Sequence, residues 1–430
     1  MRPLVGLLAL ALGAVTACGG SDSTSTPEPT GDGGTTDGGA PPDADVPFVE
    51  AKYPAFPQFT YRGGPVVKAP KFKAITFAVD PNASQLEDIV AKLAGSTYWA
   101  DTMAEYGVGK ATLVAPVRLA GNPAASYTAN AFPNLLETEF AKPNGGIMGP
   151  PDPAIIYTLF LPPGVKYPYD AKTVVCPVFG FHTHYKRPGS GDRILYSIVG
   201  ACGQGHVDLM GLDAVATTTS HEFAEAATDP YSDAPGWNGM DADHVIWDVM
   251  LGEKNTRNEI GDPCDFDGAF FFKPADDPHF VQRMWSNKAA ANGIVCGPPA
   301  AAKAVTRKTV PVMKDKVVFQ NGAAKTTTLG VKLAVGQSTT IDVILSSDAP
   351  TDAWEVSAAA ATNKDAFPPP PQPTLDFSFD KTSGKNGDVL KMTIKLLALD
   401  PSFAAAPFLV KGKTADGKST GVYLGLVSPN

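Results

Sequence analysis

Positive charge is scarce in this chain of 430 residues: 35 Lys and Arg stand against 44 Asp and Glu, for a formal net charge of −9, and no Lys/Arg-rich run occurs. The electrostatic footprint of a nucleic-acid-binding protein is therefore missing. Charged residues of both signs make up only 18% of the chain, which excludes a long solvated helix or coiled coil. The N-terminal apolar stretch, Leu4 to Val15, is about a dozen residues long, too short to cross a bilayer comfortably. No CxxC pair is present, so the usual spacing of a four-cysteine zinc site is lacking. What the chain does have is 43% hydrophobic residues, enough for ordinary cores in two or three domains, together with 42 Gly and 40 Pro, which favour short strands and long loops.

Arg2, the apolar run and Thr16-Ala17-Cys18 have the layout of a secretory signal. Val15-Thr16-Ala17-Cys18 resembles the bacterial lipobox, which implies acylation of Cys18 and a membrane anchor; an ordinary secretory peptide is the alternative. By resemblance to lipoprotein sorting signals, Gly19 after the cysteine implies the outer membrane in a Gram-negative host. Residues 19–54 open with a tract to Val46 of Gly, Ser, Thr, Pro and Asp, which reads as a disordered stalk. The remaining cysteines are even in number, and in an oxidising compartment they are expected to form Cys176–Cys202 and Cys264–Cys296, each pair bracketing one stretch of chain. Two other pairings remain open.

Residues 55–300 mix strand and helix patterns. Phe72 to Val79 reads as a strand, followed by a helix opening with Ser84 and Glu87 at capping-box spacing. Tyr98 to Tyr106 and Asn134 to Lys142 read as helices; Ala111 to Leu119, Ala154 to Leu161, Val174 to Phe181 and Arg193 to Val199 read as strands. The expected product is an α/β or α+β domain with a mixed sheet. After a linker at Pro298 to Ala302, residues 301–430 carry strand patterns at Thr306 to Val318, Lys332 to Leu345, Thr374 to Phe379, Val389 to Leu396, Phe408 to Lys413 and Thr420 to Leu426, spaced like an immunoglobulin-like β-sandwich. Phe367 and Pro368 to Pro371 read as a stiff loop within it, with a ligand for a proline-binding module as the rival reading.

Gly211 to Pro230 has apolar residues at helical spacing and stops at proline. His221 and Glu225, four residues apart, leave one face of that helix, and Glu222 lies at its edge. This is the zincin HExxH pattern with Glu for the second His: two zinc ligands and a base for the metal-bound water. A buried His–Glu hydrogen bond explains the pair without any metal. Glu259, in Asn258 to Cys264, is the expected third ligand, with Asp262, Asp229 and His182 as alternatives, and Asp229 can simply cap the helix. Strand alternation sends His182 and His184 to one face, where either is a candidate to complete the coordination or to hydrogen-bond a substrate carbonyl, an exposed strand-end His being the alternative. His206, His244 and His279 lie in loop contexts and receive no role, while Trp237, Trp247 and Trp285 suit either a cleft or a core.

Tyr61 to Val66, Phe181-His182-Thr183, Tyr196 to Gly200, Ser220 to Glu225, Glu259 to Cys264, Val281-Gln282 and Trp285-Ser286 follow in an order that resembles the EXORDIUM, or phosphate-induced, family of secreted proteins, over about Thr60 to Cys296. The resemblance implies an extracellular, cell-wall-associated protein and brings no settled reaction with it. Plant members more often carry Asn where Asp229 precedes Pro230. The expectation is a surface-tethered, zinc metallopeptidase-like protein that uses His221, Glu225, Glu259 and Glu222 on a peptide or a wall glycan. The alternative is a noncatalytic wall- or polysaccharide-binding lipoprotein.

Overall fold

Alternation in two central strands builds the first half of the molecule. In the computed structural model, which describes residues 47–128, 130–170, 173–175, 179–200, 209, 211–251, 258–266, 271–293, 296–297, 305–361, 374–417 and 419–430, every residue of the strand Ile155–Leu161 is buried. Ile156 and Phe160 face one apolar cluster and Ile155, Tyr157 and Leu159 face another, so both faces of the sheet are covered. The six strands are β1 (Lys71–Phe77), β2 (Thr112–Leu113), β3 (Val117–Leu119), β4 (Ile155–Leu161), β5 (Phe179–Lys186) and β6 (Arg193–Gly200). Their order is β2-β1-β4-β6-β5, with β3 also on β1, and all pairs are parallel except the edge pair β5–β6. Helices α1 (Ala83–Gly95), α2 (Thr97–Met103) and α4 (Gly211–Thr228) supply one face, and α3 (Ala131–Phe140) supplies the other through Phe132, Leu136 and Phe140.

Two local expectations are corrected. Ser84 and Glu87 do not form a capping box: the helix N-cap is Asn82, without a side-chain cap bond. Instead Arg118 of β3 donates to Ser84 Oγ at 2.9 Å and to both oxygens of Glu87, tying helix to sheet. The histidine motif lies inside β5 rather than beyond the end of a strand.

The second half contains two sheets of alternating strands. One orders β7 (Arg307–Pro311), β10 (Ser338–Ser347), β13 (Val389–Leu396) and β12 (Leu375–Phe379) as β7-β10-β13-β12. The other runs β8 (Asp315–Asn321), β9 (Ala324–Lys332), β15 (Ser419–Ser428), β14 (Ala406–Lys413), β11 (Trp354–Ala360) and then Ser383–Gly384. Pairing is antiparallel except for β9–β15. In β13 the inward residues Leu390, Met392, Ile394 and Leu396 are fully buried between polar neighbours. The segment Thr306 to Val318, expected as one strand, is two strands in different sheets, and Lys332 to Leu345 is divided by a turn at Gly336, whose φ is +86°. β14 and β15 pair as an antiparallel hairpin across Asp416-Gly417.

Residues 48–430 form one compact unit, so the change of architecture near residue 300 is not a change of core. Trp247 of α5 (Val245–Leu251) packs edge-on against Tyr423 of β15, and Tyr423 Oη lies 3.0 Å from His244 Nε2 and donates to Ala55 O at 3.1 Å. The leader with Cys18, the tract to Val46, Cys176, Cys202, His206, the linker at 298–302 and the proline run at 367–371 lie outside the described residues.

Candidate metal centre

Helix α4 is buried along nearly its whole length despite being rich in Thr and Ser. Thr217, Thr219 and Thr228 donate to carbonyls four residues back, at 2.7–2.9 Å, so their hydroxyls need no other partner. Phe223 anchors the helix to the sheet, with its ring centroid 4.3 Å from that of Phe72. The polar side, carrying His221, Glu222 and Glu225, turns toward β5 and the loop 258–262.

That loop is fixed from several directions. Cys264 and Cys296 are joined by a disulfide, Trp285 N donates to Ile260 O at 2.8 Å, and Glu259 N donates to Asp262 Oδ2 at 2.8 Å. Gly261 N donates to Glu225 Oε1 at 3.0 Å. A Cβ at Gly261 would stand 2.6 Å from His221 Nδ1 and 2.8 Å from Glu225 Oε1, so only glycine permits this approach. On the opposite wall, a Cβ at Gly180 would collide with Glu222.

Glu225 is the shared member of two groups whose ligand atoms lie within 4.8 Å of one another: His221, Glu225 and Asp262, and His182, Glu225 and Glu259. In the first, His221 Nε2 is 2.9 Å from Glu225 Oε2 and 3.8 Å from Asp262 Oδ1. In the second, His182 Nδ1 is 3.9 Å from Glu225 Oε2 and His182 Nε2 is 3.6 Å from Glu259 Oε2. The expected ligands His221, Glu225 and Glu259 are thus divided between the two groups, with Glu225 common to both. His182 Nδ1 also lies 3.4 Å from Glu222 Oε2.

His221 has one ring nitrogen committed to an acceptor. His221 Nδ1 is 3.0 Å from Gln282 Oε1, and the Gln282 amide is oriented by its own Nε2 donating to Gly261 O at 2.8 Å. His221 Nδ1 therefore carries the hydrogen and Nε2 is turned to the carboxylates. His182 Nδ1 faces Glu222 and Glu225, while Nε2 lies 3.3 Å from the Asp229 carbonyl and 3.6 Å from Glu259 Oε2. An acceptor that fixes one imidazole nitrogen and presents the other is the usual second layer of a metal site. Asp229, the alternative ligand, falls in neither group, and its carboxylate accepts from Gly236 N at 2.7 Å and Asn238 Nδ2 at 2.8 Å.

Without a cation, burial and neighbouring charge pull the members of the cluster in different directions. Burial raises the Glu222 carboxyl above its ordinary 4.5, against the pull of His182 and His221. Burial, and the charges of Glu225, Asp262 and Asp229, push Glu259 well above 4.5. Burial opposes charge on Glu225 as well, but His221 and His182 outweigh it and its pKa falls. For His182, burial is outweighed by Glu222, Glu225 and Asp229, and its pKa rises above 6.5.

His184 shares the face of His182 but sits apart, 3.3 Å from Asp233, which also binds Lys186 and Arg193. Burial lowers its pKa. Trp247 and Trp285 are core residues, and Trp237 is half-buried against Tyr106 and Tyr61. Sequence reasoning named Gln282 only within the family resemblance and missed its role at the site, because it lies 61 positions from the histidine it orients, at a distance no local motif spans. Compared with known proteins, the chain matches no family model and no curated protein.

Proposed function

We propose that the protein is a zinc-dependent hydrolase whose first cation position is formed by His221 Nε2, Glu225 and Asp262, with Glu222 as general base. The observation that carries this reading is the fixed tautomer of His221: Gln282 takes the Nδ1 hydrogen, leaving Nε2 among carboxylate oxygens. Donor pairs about 3–4 Å apart suit an ion with bonds of about 2.0–2.2 Å. Bound zinc would supply a Lewis acid and a more acidic water. The chain's own contribution is a buried carboxylate at Glu222, next to His221 in sequence and beside His182 in space, whose burial raises its affinity for a proton above that of an ordinary carboxylate. Asp262 takes the ligand role that sequence spacing gave to Glu259.

The helix packed against a mixed sheet with an antiparallel edge strand supports a zincin-like reading of the first half, and the paired sheets of the second half support an immunoglobulin-like one. A lipid anchor at Cys18, export to the cell envelope, membership of the EXORDIUM family and a peptide or wall-glycan substrate belong to the same proposal and rest on the sequence motifs alone. Metal analysis tests the core of it: stoichiometric zinc, and a rise in melting temperature on adding zinc to the EDTA-treated chain, are expected. A chain with neither would be read as the noncatalytic binding protein, its cluster a buried proton-sharing network.

A further inference from the structure

The first cation position leaves His182 and Glu259 unused, although both face the same Glu225. We infer that the centre is dinuclear, with a second divalent cation held by His182, Glu225 and Glu259, and Glu225 bridging the two ions; this rests on the metal reading above. Three observations carry it. His182 and His221 fall in different donor groups, so the arrangement supplies one imidazole to each of two positions. Glu225 Oε2 lies between them, 2.9 Å from His221 Nε2 and 3.9 Å from His182 Nδ1, while Oε1 is steadied by Gly261 N–H. The His182 and Glu225 side chains are only 7% and 4% exposed, so bulk water does little to screen the charge gathered here.

Charge balance points the same way. Glu222, Glu225, Glu259 and Asp262 bring four negative charges when ionised, gathered around two imidazoles. One divalent ion would neutralise half of that charge, and two would neutralise all of it. Carboxylates shared by ions about 3.5–4 Å apart are the usual construction of two-metal hydrolytic sites.

The test counts metal on the full chain after EDTA treatment and desalting. Titrated with zinc chloride, the wild type is expected to retain two zinc ions per chain, and Glu259→Gln and Asp262→Asn one each. Loaded with manganese(II), the wild type should give the exchange-coupled EPR spectrum of a bridged pair, and Glu259→Gln the spectrum of an isolated ion. One zinc in the wild type, whatever the variants retain, overturns the dinuclear proposal and leaves the single-ion reading intact. No zinc overturns both. Two ions without exchange coupling in the wild type, a result independent of how the variants fold, refute bridging by Glu225.

Discussion

The two halves handle buried charge in opposite ways. Around α4, three glutamates, an aspartate and two imidazoles crowd together, and four of these groups have pKa values displaced by burial and by one another. In the paired sheets, charges alternate outward and meet singly, as with Lys391 and Asp342 at 2.6 Å, both well exposed, and buried Lys308 pairs with Glu50. A fold that only needs stability keeps ionisable groups apart or in water, because desolvation opposes charge. Concentrating them beside one buried helix is destabilising unless something neutralises them, and that cost is the physical case for a ligand at the centre.

If the contrast is functional, the largest effect should follow Glu222→Gln, with turnover of a denatured-protein substrate falling by about 10²–10⁴-fold while zinc content is unchanged. His221→Ala should lose both. Equal zinc loss in the two variants would show that Glu222 is a ligand. A comparable energetic injury to the other half should leave the chemistry alone: Trp354→Ala, at a side chain 1% exposed, should cost about 3–5 kcal/mol in chemical denaturation with zinc content preserved under native conditions. Zinc loss in that folded variant would mean that the site depends on the sheets.

Removing Cys264 and Cys296 together, a sequence separation of 32, should cost about 3–4 kcal/mol in the chain-entropy model, and should also weaken zinc binding because the bridge holds the loop bearing Glu259 and Asp262. Unchanged affinity would mean that the loop is held without it.

The pH dependence of the metal-free chain sharpens the contrast further. Glu259 has a folded pKa above the unfolded one, so its contribution to stability is complete below about 4.5 and is lost as the pH rises through the raised folded value. Melting temperature should therefore fall from mildly acidic to neutral pH, and Glu259→Gln should flatten that fall. An identical profile in the variant would place the destabilising charge elsewhere. The smallest effect is expected at Lys391→Ala, whose exposed ion pair should be worth at most about 1 kcal/mol.

Local pattern carried most of the first-half elements. The run Ile155 to Leu161 reads as a buried strand because both of its faces are apolar, and α4 is legible because its apolar spacing ends at Pro230. In the second half the strands were harder to delimit: Thr306 to Val318 is rich in Val, Thr and Lys from end to end, and that composition does not show that the chain leaves one sheet for the other within it.

At the site, the pairing of His221 with Glu225 follows from helical geometry alone, since residues four apart share a face. Which carboxylate joins them does not. Glu259 and Asp262 lie three residues apart on one loop, and only the path of that loop, through the Cys264–Cys296 bridge, the Trp285–Ile260 hydrogen bond and the close approach at Gly261, sends Asp262 toward His221 and Glu259 toward His182. The sequence determined the donor types and the helix that carries half of them. Only the tertiary structure decided that Glu225 stands between two imidazoles, because that position depends on an edge strand some forty residues upstream and a loop as far downstream meeting the same helical turn.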